Sequence, residues 1–285
     1  MVELLRPKQW TKNLLVFAAP LFALRLFDPG AFTAACLAFV AFCLASSSCY
    51  VVNDLVDVER DRRHPTKRNR PIASGRVSPG SAWLVAAALT VGSLALAYWI
   101  GPALGTVVLV YVVMTHGYSF GGKNIVVLDI VLVAAGFVLR AVAGALAIDV
   151  PYSDWFVLCT FFVALFIAAS KRTGEYRALG AREETRPVLA AYSEGALRAF
   201  TLTSMAAAVI SYSLWVQDEL AQSGGGASLL LLTVPIVVIA LFRYHLLVER
   251  GEAGEAPEET LLADHGLQLS VLGFLLVALA AFYGS

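Results

Sequence analysis

Asn53–Arg70 reads NDLVDVERDRRHPTKRNR: three aspartates at helical spacing run into a dense set of cations, and on either side lie stretches apolar enough to cross a membrane. Acid at a bilayer surface followed closely by base points to metal ions and phosphates. The flanking apolar stretches decide the fold, and the polar stretch between them locates the chemistry.

Of 285 residues, 59% are hydrophobic and 15% charged. The apolar residues fall in blocks of about twenty, the length that crosses about 30 Å of hydrocarbon. The chain is therefore expected to be an all-α polytopic membrane protein, with spans near 14–27, 31–52, 82–99, 103–120, 126–148, 155–170, 196–217, 228–247 and 267–283. These nine spans predict a helical bundle forming a single membrane domain over residues 1–285. A formal net charge of zero gives no bulk electrostatic reason to expect a nucleic-acid partner.

The distribution of charge sets the orientation. Arg6, Lys8, Lys12, the run from Arg60 to Arg76, Lys123, Lys171 to Arg186 and Arg250 all fall on one side if the N-terminus is cytoplasmic. The opposing connections at 28–30, 100–102, 149–154 and 218–227 carry no Lys or Arg. The positive-inside rule then predicts a cytoplasmic N-terminus, and the long polar loops place the chemistry on that face. Pro7, Lys8, Trp10 and Lys12 read as a basic, aromatic interfacial segment rather than a cleavable signal sequence. Cys36, Cys43, Cys49 and Cys159 all fall inside spans, where they are expected to pack as small apolar side chains.

At about 100° per residue, Asp54, Asp57 and Asp61 fall within about 60° of one another, with Asn53 beside Asp57 at i,i+4 spacing. Glu59 points elsewhere. Mg²⁺ takes oxygen ligands from one or two carboxylates and completes its shell with water and substrate phosphates, so Asn53, Asp54, Asp57 and Asp61 are candidate metal ligands, for Mg²⁺ or Mn²⁺. The competing reading is a solvated helix end whose acids pair with Arg60, Arg62 and Arg63. Acids on one face at the end of a spanning helix are costly unless used, which favours the metal. Downstream, His64, Lys67, Arg68, Arg70 and Arg76 supply donors, on a loop shaped by Pro65, Pro71 and Gly75. An Arg fork and a Lys point charge suit a polyphosphate held by a metal on its other side, while retention of a positive inside face explains the same residues topologically.

Lys8 and Lys12, one turn apart and flanking Trp10, lie where a lipid phosphate would sit, although snorkelling anchors look the same. Arg140, deep in the fifth span, costs at least about 2.5 kcal/mol unless it is paired or faces a polar cavity. It and Asp129 are read as cavity-lining, with a structural ion pair to another helix as the alternative. Gly136, Ala141, Ala143, Gly144 and Ala145 either permit close helix approach or leave a groove for an isoprenoid chain. His116 and His245 are read as packing residues.

The NDxxDxxxD pattern from Asn53 to Asp61, followed by HPTKRNRPIASG, resembles the first aspartate-rich motif of the UbiA superfamily of intramembrane prenyltransferases. The resemblance covers nearly the whole chain. It is sharper for the branch of decaprenyl-phosphate phosphoribosyltransferases of the actinobacterial cell wall, through RPKQWTKN at Arg6, YSFGGKN at Tyr118, LDI…GFVLRA from Leu128 and SKRTGEY at Ser170. Aromatic prenyltransferases of the superfamily carry a second aspartate-rich motif where this chain has Lys171, Arg172 and Glu175. Exchanging carboxylates for cations there removes a metal site and suggests direct phosphate binding.

The resemblance implies a nine-helix UbiA-like bundle in the bacterial cytoplasmic membrane, with its active site facing the cytoplasm. It implies a Mg-dependent transfer of 5-phosphoribose from phosphoribosyl pyrophosphate to a polyprenyl (decaprenyl) phosphate, releasing pyrophosphate, in arabinogalactan precursor synthesis. Asn53, Asp54, Asp57 and Asp61 would hold the metal, and Lys67, Arg68 and Arg70 the phosphates. Tyr118, Ser119, Lys123 and Asn124 would lie near the donor, while Glu175 and Tyr176 would contact ribose hydroxyls or orient cations. Self-association into a homo-oligomer also accords with this branch. The alternative enzyme is a UbiA-type prenyltransferase acting on an aromatic or other acceptor from a prenyl diphosphate. A non-catalytic lipid or ion transporter is the alternative of another class, disfavoured because the chain shows no evident inverted repeat with paired broken helices.

Overall fold

The computed structural model describes residues 2–179, 187–222, 228–253 and 257–283. Eight of its helices are long and apolar enough to cross a membrane. They are α1 Pro29–Val56, α2 Pro79–Ile100, α3 Pro102–Phe120, α4 Leu128–Ala147, α5 Asp154–Leu179, α6 Glu194–Gln222, α7 Thr233–Glu249, whose span begins with the 3₁₀ turn Ser228–Leu232, and α8 His265–Tyr283. Each matches an expected span within a few residues, except that α5 continues well past 170. Lys171, Arg172 and Glu175 therefore lie within this helix rather than in a loop.

Helix starts follow local chemistry. Asp28 caps α1 by accepting from the N–H groups of Gly30 and Ala31, with Pro29 at the first helical position, where no N–H is missed. Ser78 and Pro79 repeat the device at α2.

The remaining expected span, 14–27, differs. Pro7–Phe17 is a 3₁₀ helix that passes into the short α-helix Ala18–Phe22. A 3₁₀ helix has about 3.0 residues per turn, so residues three apart stack in rows. Trp10, Asn13 and Val16 form the row that faces protein, whereas Lys8, Thr11 and Leu14 form an exposed row. At a rise of about 2.0 Å per residue the eleven 3₁₀ residues alone cover about 22 Å, so this strap is longer than its residue count suggests.

The chain divides into two compact units, Met1–Tyr152 and Ser153–Ser285. In the first, α1 packs against α2 and α3, α3 against α4, and the strap lies on α1 and α4. Its core joins Val16 of the strap to Phe42, Ala45, Val108, Tyr111 and Ala143. In the second, α5 pairs with α6 and α7 with α8, around Phe166, Met205, Leu241, Tyr244 and Leu267. Large apolar side chains such as Leu84, Trp99, Val113, Ile239 and Leu269 stay exposed, as the lipid-facing surface of a membrane bundle requires.

Gly144 decides between the two readings of the small residues on α4. A Cβ there would stand 2.0 Å from the Val16 carbonyl oxygen, so the glycine exists for close approach of the strap to α4.

Candidate active site

Three consecutive serines on α1 hold the first unit's polar end in place, each pointing about 100° from the last. Ser46 accepts from Asn13 (3.2 Å), Ser47 donates to the Leu5 carbonyl (2.8 Å) and accepts from Trp10 Nε1 (3.0 Å), and Ser48 bonds the Ala86 carbonyl and Thr90 of α2. The strap is thus tied to α1 immediately before the acidic motif begins.

The aspartates do not sit on one unbroken helix. α1 ends at Val56, Asp57 takes φ −93° and ψ 5°, and a short helix, Val58–Arg63, follows. Backbone bonds still bridge the break, from Asp57 N–H to Asn53 and from Asp61 N–H to Asp57. The acidic groups separate into two halves, each held by cations. Arg70 Nη1 reaches Asp54 (3.0 Å) and Asp61 (2.6 Å), and Arg6 Nη2 donates to the same Asp54 oxygen at 2.5 Å. Lys123 Nζ donates to Asp57 (2.6 Å) and Asn53 (3.2 Å), while Arg60 stands 3.6 Å from Asp57 at the rim.

These are largely desolvated pairs. The side chains of Asp54, Asp61 and Lys123 are 3%, 4% and 9% exposed. Carboxylates this buried need partners, and three cations supply them. Among the described residues no three His, Cys, Asp or Glu side chains converge as they would on a metal ion. The oxygen-rich donor set of Asn53, Asp54, Asp57 and Asp61 nevertheless has the chemistry that Mg²⁺ prefers. Its carboxylates are drawn apart towards Arg and Lys, so a metal would bind by replacing those cations.

Other expected site residues distribute unevenly. Lys67 and Arg68 lie on the exposed 3₁₀ turn Lys67–Asn69, and His64 steadies that turn by accepting from the backbone N–H groups of Thr66 and Lys67. Arg76 makes a two-pronged pair with Glu3, which pulls the Glu3 carboxyl below its ordinary value. Tyr118 is half-buried on the last turn of α3, ahead of the Gly122–Asn124 turn that delivers Lys123.

Lys8 and Lys12 are not the same-face pair that α-helical spacing suggests. In the 3₁₀ strap they lie about 120° apart; Lys8 is exposed and Lys12 donates to Gln9. Arg140 is likewise not a lining residue of the acidic cluster. Its Nε donates to Asn13 (2.7 Å), Nη1 to the Gly136 carbonyl (2.7 Å) and Nη2 to the Tyr111 hydroxyl (2.8 Å). The rings of Tyr111, Phe137 and Phe42 surround its guanidinium at 4.7, 5.4 and 6.0 Å. This cation locks the strap onto α3 and α4, and Asp129 is fully buried at the start of α4.

In the second unit, Arg172 and Glu175 form a buried ion pair at 2.7 Å, and Lys171 is adjacent on α5. Arg177 ties the C-terminal turn of α5 to Glu194 and Glu249. Asp264 accepts from Arg243 and from the Leu267 N–H, so it caps α8. Arg243 and that cap hold the Asp264 carboxyl down at about 2.

Sequence reasoning missed Arg6 and the serine run. The signal for the serines was three hydroxyls in succession inside a spanning helix; Arg6 opens the RPKQWTKN stretch, which is read for family resemblance and charge orientation and not for the site.

An all-helical membrane domain carrying a buried acid–cation cluster at one end of a spanning helix suits an intramembrane enzyme of anionic substrates. Residues 14–263 match the UbiA prenyltransferase family, and the chain belongs to that family. It is 41% identical over 296 residues to the decaprenyl-phosphate phosphoribosyltransferase of Mycolicibacterium smegmatis, covering all of this chain and 93% of that one. The enzyme of that name from Mycobacterium tuberculosis is 41% identical over 289 residues, covering 99% of this chain and 93% of that one. A UbiA homolog from Archaeoglobus fulgidus bound to GPP and Mg²⁺ shares the fold, with a TM-score of 0.76 and 20% identity over 99% of both chains.

Proposed function

We propose that this protein transfers 5-phosphoribose from phosphoribosyl pyrophosphate to a polyprenyl phosphate, decaprenyl phosphate in the bacterial setting, and releases pyrophosphate. The observation that carries this reading is the full-length 41% identity to decaprenyl-phosphate phosphoribosyltransferases. The acid–cation cluster is suited to the chemistry, because both substrates are polyanions and the reaction brings one phosphate up to another.

The nucleophile is a lipid phosphate oxygen, already anionic near neutral pH, so no general base is needed. It bonds to C1 of the ribose as the C1–O bond to pyrophosphate breaks, and the electron pair leaves with pyrophosphate. A single displacement of this kind inverts the anomeric centre. Asn53, Asp54, Asp57 and Asp61 would hold a divalent cation, which would supply charge neutralisation at the leaving group. Arg70, Lys123, Lys67 and Arg68 bind phosphate oxygens, and the preorganised positive field lowers the cost of bringing anion to anion. Lys171, Arg172, Glu175 and Tyr118 contribute to substrate binding, and Lys8 and Lys12 to the lipid phosphate.

The site faces the cytoplasm and the N-terminus lies on that side, on the strength of the Lys and Arg distribution. Crossing of the bilayer by the strap would complete nine passages.

The test is incubation of purified protein in lipid with Mg²⁺, labelled phosphoribosyl pyrophosphate and a polyprenyl phosphate. Label is expected to enter the lipid phase and to be lost with EDTA or in Asp57→Asn. A well-folded Asp57→Asn protein of normal activity would sink the metal assignment. An intact wild type that transfers no phosphoribose but consumes a prenyl diphosphate would return the chain to prenyl transfer.

A further inference from the structure

Arg6 is placed with more care than a surface arginine needs. It takes a left-handed backbone, φ 51° and ψ 60°, which non-glycine residues seldom adopt. That conformation is over-determined: the Leu5 carbonyl is held by Ser47, the Arg6 carbonyl by the Gln9 N–H, and the guanidinium lies 5.1 Å from the Tyr50 ring centre. Behind it, the strap is fixed by Asn13 on Arg140 and by Val16 against Gly144.

The placement delivers a second guanidinium to a carboxylate oxygen that Arg70 already serves. Arg70 also bridges to Asp61, so it alone could neutralise that half of the cluster in part, whereas among the described residues Arg6 has Asp54 as its carboxylate partner. Arg6 is 24% exposed at its side chain while Asp54 is 3% exposed, so Arg6 reaches solvent where the carboxylate it binds does not. We propose that Arg6 is a phosphate-binding residue held in reserve on Asp54, and that a divalent cation taking Asp54 frees its planar fork for the diphosphate of the substrate.

The charge pattern makes the two events depend on one another. A cation arriving alone meets carboxylates already matched by Arg6, Arg70 and Lys123, and would add positive charge to positive. An anion arriving alone finds those donors committed to carboxylates. Arriving together, metal and diphosphate exchange partners with the resident pairs, so each tightens the other's binding by the same factor. This rests on the reading of the site as one for a diphosphate-bearing substrate.

Binding of Mn²⁺, and of inorganic pyrophosphate with and without Mn²⁺, to the full-length protein in lipid tests the assignment without turnover. In the wild type, Mn²⁺ alone is expected to bind weakly and pyrophosphate to strengthen it. Arg6→Gln is expected to bind Mn²⁺ alone about tenfold or more tighter and to lose about tenfold or more in pyrophosphate affinity when Mn²⁺ is present, the scale of one charge-assisted hydrogen bond. Arg62→Gln, which removes an equal charge from the same surface but touches Glu59, should change neither. Arg6→Lys keeps the charge and loses the fork, so Mn²⁺ binding should stay near wild type while pyrophosphate binding weakens; this variant decides the matter if Arg6→Gln does not fold. Unchanged or weaker Mn²⁺ binding by Arg6→Gln, or full pyrophosphate affinity in both variants, would overturn the proposal. The predicted binding pattern in a protein that transfers no phosphoribose would instead sink the function and leave Arg6 assigned.

Discussion

Substituting Gly144 by alanine should loosen the strap and, through it, the cation at the centre of the first unit. The added methyl would lie 2.0 Å from the Val16 oxygen, 2.9 Å from its carbonyl carbon and 3.2 Å from its Cα, where ordinary contact begins near 3.4 Å. All three neighbours are backbone, so no side chain can rotate aside, and strap and α4 must part by more than 1 Å. The Asn13–Arg140 bond, now 2.7 Å, cannot survive that displacement unless the two side chains follow. Overpacking costs about 1–3 kcal/mol and a lost hydrogen bond to a charged group about 1.5–3, and because the sites are coupled the two do not add fully. A loss of about 2–4 kcal/mol is expected, or a melting temperature lower by about 5–10 °C. The four free cysteines, all within helices, allow unfolding in detergent to be followed with a thiol-reactive dye. Gly136→Ala is the comparison: its methyl would approach Arg140 Nη1 at 3.4 Å and meet no backbone, so it should shift stability by less than about 1 kcal/mol. Equal melting temperatures for the two variants would refute the reasoning.

Arg140→Leu should cost about 3 kcal/mol by orphaning the buried Asn13 and Tyr111 groups, and Arg140→Lys should not restore it because one ammonium cannot replace the fork; thermal unfolding checks both. Lys123→Ala should raise KM for phosphoribosyl pyrophosphate about tenfold or more with kcat little changed, read from initial rates. The carboxyl of Asp264 sits at about 2 when folded against 3.8 ordinarily, so its contribution is complete above 3.8 and is lost as pH falls through about 2. The gap in melting temperature between wild type and Asp264→Asn should therefore be full at neutral pH and close across that window.

Much of the helical architecture was legible because hydrophobic length is a coarse signal that tertiary contacts do not disturb. The caps Asp28 and Ser78 start α1 and α2 at Pro29 and Pro79, ahead of the expected spans at 31 and 82. The strap was not legible as such. An apolar window at 14–27 reads as an α-helical span, whereas the pattern that matters is a period of three in Trp10, Asn13 and Val16, partners of Ser47, Arg140 and Gly144 far along the chain. For the acidic motif, helical angles put all three aspartates on one face with Asn53 beside Asp57, whereas the structure divides them into Asn53 with Asp57 and Asp54 with Asp61. What answers each half was hidden, because Arg6 and Lys123 come from 48 and 66 residues away. The run of basic residues beside the acids drew attention to Lys67, Arg68 and Arg70, and Arg70 is joined to Asp54 and Asp61.

The same argument bears on Arg172 and Glu175 on α5. The pair is buried at 4% and 8% exposure and closes at 2.7 Å, so Glu175 neutralises a neighbouring guanidinium and does not stand as an open carboxylate. Breaking a buried pair by removing one partner costs about 3–5 kcal/mol, since the other charge is left unmatched. Glu175→Gln keeps shape and hydrogen bonding, which reduces that cost, and removes the negative charge that Arg172 faces at 2.7 Å. If Arg172 serves a substrate phosphate, this variant should melt at lower temperature while KM for phosphoribosyl pyrophosphate stays level or falls. A KM that rises with no change in melting temperature would mean that Glu175 itself touches the substrate, through the ribose hydroxyls, and that its pairing with Arg172 is incidental. The two outcomes differ in both measurements, so one variant separates a phosphate site tuned by a carboxylate from a carboxylate that binds sugar.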